Sequence, residues 1–206
     1  LLGEEQSGQI RDVGYELYQS MLEETISKIR GGQIDVLNSM DNQWSPQINL
    51  GVSVLIPETY VSDLDVRLGL YRRLANLNKK VEFEGFAAEL IDRFGKLPSE
   101  VNTLLLVVRI KSVCKKAGIG KLDGGPKGAT VQFHNDKFIS PEGLVEFIKN
   151  QNGTAKIKDN KLIIRRDWKK NSDKFKGAFA IARDLAEIAA SFEKNIQKKQ
   201  KSNFLN

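Results

Sequence analysis

Apolar residues recur at three- and four-residue steps in six separate stretches of the chain, a pattern that predicts amphipathic helices. The predicted helices cover approximately residues 10–30, 63–78, 82–94, 98–117, 141–149 and 173–197. The helix over 98–117 is apolar on nearly every side, so we expect it to lie at the centre of the core, against more than one neighbour. Within it, Cys114 is expected to pack as a small hydrophobe.

Alternating apolar and polar residues predict strands in the remaining segments. Residues 47–56 alternate strictly and stop at Pro57, which is typical of a half-buried strand that starts a sheet or lies at its edge. Further strands are predicted over 128–134, 137–139, 154–158 and 161–165, with tight turns at Asn135-Asp136 and Asp159-Asn160. The fold class is therefore predicted as α+β: a mostly antiparallel sheet of about four or five strands, covered by helices and preceded by a helical appendage.

Composition along the chain predicts where its domains begin and end. Residues 33–46 are rich in Asn, Asp, Ser and Gln and lack a sustained period, so they are predicted to link a helical segment over 1–32 to a domain over 47–197. The basic residues 198–206 are predicted to be a disordered tail. Because the chain starts without an initiator Met, we expect it to begin within a larger protein.

The helix predicted over 82–94 presents two different faces. The predicted apolar stripe consists of Phe86, Leu90, Ile91 and Phe94. On the polar side, positions i, i+3 and i+4 are occupied by Glu89, Asp92 and Arg93. Three charged groups on one face are suited to docking against another protein. An ordinary solvated helix surface is the other interpretation, because exposed charge pairs are common and individually weak.

Overall composition is that of a globular protein without membrane segments. Hydrophobic residues make up 40% and charged residues 28% of the 206 residues. No apolar run approaches the roughly 20 residues needed to span a bilayer, and no signal-peptide pattern is present. The single cysteine fits a reducing cytoplasm, so a cytoplasmic location without a membrane partner is predicted.

The net charge of +6 is concentrated near the C-terminus. Residues 165–206 hold 11 Lys and Arg against 5 Asp and Glu, whereas residues 1–164 hold 21 of each. The group Arg165, Arg166, Lys169 and Lys170 is therefore a candidate basic contact surface, and a nucleic-acid-binding module acting through residues 165–201 is an alternative function. A solvated helix face with a disordered end explains the same charges.

The sequence offers little for catalysis. One His and one Cys cannot form a structural zinc site, and a Cys114–His134 pair is expected to be inert because burial raises the pKa of a thiol. The Gly-rich segment 118–125 lacks dinucleotide-loop spacing, and no GxxxxGK[ST] sequence occurs. We therefore predict that this chain is not an enzyme by itself and holds neither a metal nor a cofactor.

Two sequence motifs resemble a known family. Glu89-Leu-Ile-Asp-Arg-Phe-Gly95, followed by Leu97-Pro98, resembles the signature of the C-terminal domain of the bacterial transcription-repair coupling factors. Leu1-Leu-Gly-Glu-Glu-Gln-Ser-Gly8 is similar to the latter part of the translocation motif that this family shares with RecG-type helicases. The motifs occur in the family's order and, with Asp65-x-Arg67-Leu68 and Tyr71-x-Arg73, cover most of the first 125 residues.

The resemblance implies a function for the intact protein and a role for this part of it. It implies an ATP- and Mg-dependent translocase on duplex DNA that binds stalled RNA polymerase and recruits UvrA. Residues 1–32 would end the second helicase lobe, with Gly3, Gln6 and Gly8 as a remnant of the translocation motif. The C-terminal domain would dock on the N-terminal UvrB-like module and cover its UvrA-binding surface, and the resemblance assigns that contact to Glu89, Asp92 and Arg93.

Overall fold

The computed structural model describes residues 44–52 and 54–203, which form an α+β structure. Its helices are α1 (Leu64–Ala75), α2 (Lys80–Phe94), α3 (Ser99–Lys116), α4 (Pro141–Lys149) and α5 (Asn171–Asn203). Its strands are β1 (Gln47–Asn49), β2 (Ile119–Gly125), β3 (Gly128–Phe133), β4 (Ala155–Lys158) and β5 (Lys161–Arg165). The predicted fold class is confirmed. The predicted appendage over 1–32 and nearly all of the linker lie outside the described residues.

The described chain divides into two compact units. Gly51–Arg109 belongs to the first, whereas Ser45–Leu50 and the residues from Ile110 onward belong to the second. The sequence interpretation treats residues 47–197 as one domain, and the compact units divide that range within α3. Among the residues that the structure describes, no helix is long and apolar enough to cross a membrane.

The first unit is built from α1, α2 and the N-terminal part of α3. Leu74, Leu90, Val101 and Leu104 are fully buried, one or two from each helix, and form the centre of its hydrophobic cluster. Polar groups inside this cluster are paired: the buried backbone N–H of Ile56 donates to Tyr71 Oη at 2.6 Å. Helix α1 begins after Asp63, whose carboxylate accepts from the N–H of Val66 at 2.9 Å.

The apolar face of α2 differs from its prediction at one position. Phe83, Phe86 and Leu90 are buried, but Ile91 keeps 50% of its surface exposed. Successive residues on a helix are separated by about 100°. Since Leu90 lies at the middle of the buried face, Ile91 is turned towards solvent, and its place in the predicted apolar stripe is wrong.

The second unit contains a five-stranded sheet with the order β1-β2-β3-β5-β4. β1 pairs with β2 in parallel, and the other three pairs are antiparallel. β2 forms from the Gly-rich segment over 118–125, for which no strand was predicted. Here the glycines allow a close approach of neighbouring atoms, since a Cβ on Gly124 would lie 2.6 Å from Leu50 Cδ2.

Two predicted strands are shorter or absent. β1 ends at Asn49 instead of continuing to residue 56, and residues 137–139 do not return as a strand. Asn135 and Asp136 both have φ of 54°, in the left-handed region, within a short 3-10 helix over His134–Asp136. Phe138 instead packs on Phe133 with ring centroids 4.8 Å apart.

Helices cover one face of this sheet. The register places the buried side chains Leu122, Val131, Leu162 and Ile164 on the same face, where α5 contacts β2 and β3 and α4 contacts β4. α5 supplies Ala178, Ala182 and Leu185, all fully buried. The helix continues to Asn203, so the prediction of a disordered tail from residue 198 is wrong for 198–203, while 204–206 lie outside the described residues.

Candidate docking surface on helix α2

Both ends of α2 are fixed by hydrogen bonds. At its start the Glu82 carboxylate accepts from the backbone N–H groups of Asn78 and Lys79 at 2.8 and 3.0 Å. At its end Gly95 has a φ of +84°, which favours glycine, and Tyr60 Oη lies 2.9 Å from both carbonyl oxygens of Leu90 and Gly95. The helix therefore presents its outer residues on a fixed support.

A network of ion pairs on the outer side of α2 connects this helix to α1. Arg73 of α1 donates two hydrogen bonds to the Glu89 carboxylate, at 2.7 and 2.5 Å, and Arg93 donates a third at 3.0 Å. The guanidinium of Arg73 lies 5.1 Å from the centre of the Phe86 ring, and that of Arg93 lies 4.8 Å from the Phe94 ring. Each arginine is thus oriented by a carboxylate and an aromatic face together.

The three residues singled out by sequence have different environments. Asp92 is exposed and makes no hydrogen bond or ion pair with the described residues. Arg93 is exposed but paired, whereas Glu89 is partly buried and engaged by both arginines. Of the three, therefore, Asp92 offers a free charge, and Glu89 acts chiefly by holding Arg73 and Arg93 in place.

Sequence reasoning did not assign Arg73 a role. Tyr71-x-Arg73 is one of the motifs that carry the family resemblance, so the sequence did single out Arg73. However, Arg73 lies 16 residues from Glu89 along the chain. Only the packing of α1 against α2 brings the two side chains together. We define the α2 surface as Arg73, Glu89, Asp92 and Arg93, with the half-exposed Ile91 beside them.

The two arginines strongly lower the pKa of Glu89. Hydrogen bonds from Arg73, followed by those from Arg93, lower the pKa of Glu89 from 4.5 to about 2, against an opposing effect of burial. The carboxylate is therefore charged throughout the physiological range. It can therefore accept the hydrogen bonds of both arginines throughout that range.

Replacing Glu89 should have a pH-dependent effect on stability. Because the folded pKa lies below the unfolded one, the contribution of Glu89 is present above about pH 4.5 and is lost as pH falls towards about 2. At pH 7 we expect Glu89→Gln to lower the free energy of unfolding by up to about 1 kcal/mol, as for exposed pairs. Urea unfolding should show that the difference in unfolding free energy between the parent chain and Glu89→Gln is smaller at pH 3 than at pH 7. Asp92→Asn should have no comparable effect at either pH. A deficit in Glu89→Gln that is equal at both values contradicts the assignment.

The four cations that were predicted to form a basic surface near residue 165 have different environments. The Arg166 guanidinium donates to Thr154 Oγ1 at 2.6 Å and to Gln151 Oε1, so it ties the end of β5 to the loop that precedes β4. Lys169 lies 3.3 Å from the carboxylate of Asp167. Arg165 and Lys170 remain exposed. Two of the four cations are therefore engaged by side chains of the protein itself, and the grouping of all four as a contact surface stays a prediction.

The groups considered for catalysis have no arrangement that favours it. Cys114 is fully buried, and burial raises the pKa of its thiol to about 12, as predicted. A thiol that stays protonated is a poor nucleophile. Within residues 44–52 and 54–203, no group of three or more His, Cys, Asp or Glu side chains is placed to hold a metal ion. Gly3, Gln6 and Gly8 lie outside the described residues.

The fold and this surface define a class of protein: an α+β domain whose candidate site is an exposed, charged helix face. Residues 50–144 match the family model of the TRCF domain. The transcription-repair-coupling factor of Rickettsia bellii is 49% identical over 164 residues, which is 79% of this chain, and that of Escherichia coli is 34% identical over 73% of it. The chain belongs to the family of bacterial transcription-repair coupling factors.

The matches also show how much of such a protein is present. The chain spans about 14% of the length of the curated relative from Rickettsia bellii and 13% of that from Escherichia coli. A solved structure titled as the C-terminal domain of transcription-repair coupling factor superposes with a TM-score of 0.60 over 74% of this chain and 99% of its own. At 23% identity, that likeness shows a shared fold.

Proposed function

We propose that this chain is the regulatory C-terminal part of an ATP-dependent DNA translocase that couples transcription to nucleotide-excision repair. In this proposal the α2 surface docks on the N-terminal UvrB-like module of the same protein and covers the surface that UvrA binds. Engagement of stalled RNA polymerase releases the contact. ATP and Mg would bind to helicase lobes outside this chain.

The observation that carries the proposal is the free carboxylate of Asp92 beside two pre-oriented arginines. Asp92 lies one helical turn from Glu89, which fixes Arg73 and Arg93. A partner surface with a cation for Asp92 and carboxylates for the arginines would meet groups that are already in position. Ordering them costs little side-chain entropy, because the protein's own contacts have ordered them.

The arrangement also suits a contact that must open. Exposed charge pairs are individually weak and select a partner more than they supply affinity. Ile91, which is half exposed next to Asp92, adds a small apolar area to the surface. A contact of this kind can be displaced when another ligand favours the open state by a few kcal/mol.

The docking prediction is tested by titrating this chain against the intact N-terminal region of the same protein. Asp92→Ala should weaken binding by about fivefold, or roughly 1 kcal/mol, since it removes one exposed ion pair. Glu89→Ala with Asp92→Ala should weaken it further, because both arginines then lose their orientation.

The matched control is Glu193→Ala, which removes an exposed acidic residue from α5. It should bind as the parent chain does, and circular dichroism should show that all variants are folded. Unchanged affinity of the double variant would refute the assignment of the α2 surface, whereas equal weakening by Glu193→Ala would indicate a general charge effect.

A further inference from the structure

The β4–β5 hairpin places a row of cations on the open face of the sheet. Leu162 and Ile164 point to the face covered by helices, so Lys161 and Arg165 point to the opposite face. The register pairs Lys158 with Lys161 and Lys156 with Ile163, which brings both β4 lysines to that same side. All four cations are exposed. We call Lys156, Lys158, Lys161 and Arg165 the basic sheet face.

These charges are not neutralised by the described part of the chain. None of the four side chains forms an ion pair or a hydrogen bond there, and the hairpin's one acidic residue, Asp159, lies in the turn. The neighbouring carboxylates have other partners: Asp123 lies 3.4 Å from Lys121, and Asp136 accepts a hydrogen bond from Gln132. The four cations of the hairpin are therefore exposed and not ion-paired within the described part of the chain.

One pair of like charges on this face destabilises the folded protein when no ligand is bound. Lys158 and Lys161 are directly opposite each other across the two strands, where like charges are destabilising. Their Cβ atoms are expected to be about 5 Å apart, and Lys156 lies about 6.6 Å from Lys158 along the strand. Such a pair is relieved when an anion lies between or above the two ammonium groups.

The unit that carries this face is strongly basic as a whole. Residues 45–50 and 110–206 hold 21 Lys and Arg against 10 Asp and Glu, so the unit has a net charge of +11. Residues 1–44 and 51–109 have 11 basic and 16 acidic residues. The protein's excess of positive charge is therefore a property of the unit that contains the sheet.

We propose that the basic sheet face binds the phosphate backbone of duplex DNA. Duplex DNA carries closely spaced phosphates, one per roughly 3.4 Å along each strand, and a row of cations at about 5–7 Å spacing can contact several at once. Outward positions of the described strands hold Lys, Arg, Gln, Asn, Asp, Thr and Ile but no aromatic residue. Without rings on which bases stack, a single strand is a less suitable ligand.

This binding is independent of sequence and differs from the contact predicted through residues 165–201. Phosphate contacts position a protein on DNA but do not read bases. The contact lies on β4 and β5 and shares only Arg165 with the alternative that acts through residues 165–201. An open depression at Arg165 is lined by Pro126, Lys127, Arg165, Arg166 and Asp167, which adds the cations Lys127 and Arg166 and one carboxylate at the margin of the face.

The test is fluorescence anisotropy of the full 206-residue chain with a labelled duplex of about 30 base pairs, between 50 and 200 mM salt. Four phosphate contacts predict a slope of about −3.6 for the logarithm of affinity against the logarithm of salt, and an affinity loss of about 100-fold over that range. Lys156→Gln, Lys158→Gln and Lys161→Gln together should reduce the slope to about −1 and weaken binding at least about tenfold at 50 mM salt.

The control removes the same charge from the last helix, with Lys176→Gln, Lys194→Gln and Lys198→Gln, three exposed residues of α5. It should keep the slope of the parent chain. A separate thermal melt should show that Lys158→Gln is at least as stable as the parent, since it removes the like-charge pair.

Three results overturn the proposal: no binding of the parent chain to duplex at 50 mM salt, an unchanged slope in the strand variant, or loss of binding in the α5 control. Binding to poly-L-glutamate with no binding to duplex would overturn it in favour of an acidic protein partner.

Discussion

Leu90→Ala lowers the free energy of unfolding of this protein by about 2–5 kcal/mol, the range for truncating a fully buried leucine. Leu90 has no exposed surface and lies in the cluster that α1, α2 and α3 form together. Its replacement leaves a cavity that the neighbouring helices fill only in part. Urea unfolding monitored by circular dichroism measures the loss directly.

The adjacent residue supplies the control for this substitution. Ile91→Ala removes a side chain of the same size from the same helix, but half of that side chain is exposed. We expect a change within about 1 kcal/mol, as for most surface positions. Equal losses at the two positions would contradict the orientation of α2, and with it the position of Asp92.

Gly128→Ala should destabilise the protein by about 3 kcal/mol or more, because two effects combine there. Gly128 has a φ of +117°, and a Cβ on it would lie 2.0 Å from the carbonyl oxygen of Ile164 and 2.7 Å from the backbone nitrogen of Arg166. Both are backbone atoms, one in β5 and one in the residue that follows it, and they cannot turn away as a side chain can. Left-handed strain and steric overlap each cost about 1–3 kcal/mol.

Gly125 is the matched control, since it is paired with Gly128 across the β2–β3 hairpin. A Cβ at Gly125 meets no atom within 4 Å, so Gly125→Ala should change the unfolding free energy by less than about 1 kcal/mol. Thermal melts of both variants test this. Similar melting temperatures for the two would mean that the backbone of β5 does not approach Gly128 as described.

Helical periods were the most reliable signal in the sequence. The helix over Pro141–Lys149 was predicted at its observed bounds, and those of α2 and α3 to within two residues. Which residues of a helix face solvent was harder to predict. The four apolar residues Phe86, Leu90, Ile91 and Phe94 spread over too wide an arc of α2 to be buried together, and Ile91 is the one that is exposed. Which of them faces solvent depends on where the neighbouring helices lie.

Strands depended more on tertiary context. The strict alternation over 47–56 predicted a long strand, yet only Gln47–Asn49 pairs, while Ile56 is buried in a different compact unit. β2 was missed because its glycines suggested a loop, whereas the structure pairs them in a strand and packs Leu50 closely against Gly124. A single strand's sequence does not specify which segment will lie next to it.

The two charged surfaces also show that the sequence alone does not specify which residues lie next to each other. The residues at i, i+3 and i+4 on α2 could be grouped from sequence alone, but Arg73 joins them only through packing. The lysines at 156, 158 and 161 appear unremarkable along the chain, because strand register and not sequence distance puts them side by side. The sequence instead drew attention to Arg166 and Lys169, which are paired internally.

The burial of Cys114 has a practical consequence for work on this protein. The chain has one thiol, it lies inside α3 with no exposed surface, and its pKa is raised to about 12. Thiol-directed reagents therefore have a target only in molecules whose core has opened. The rate of its chemical labelling under native conditions reports the frequency of that opening, without an engineered reporter group.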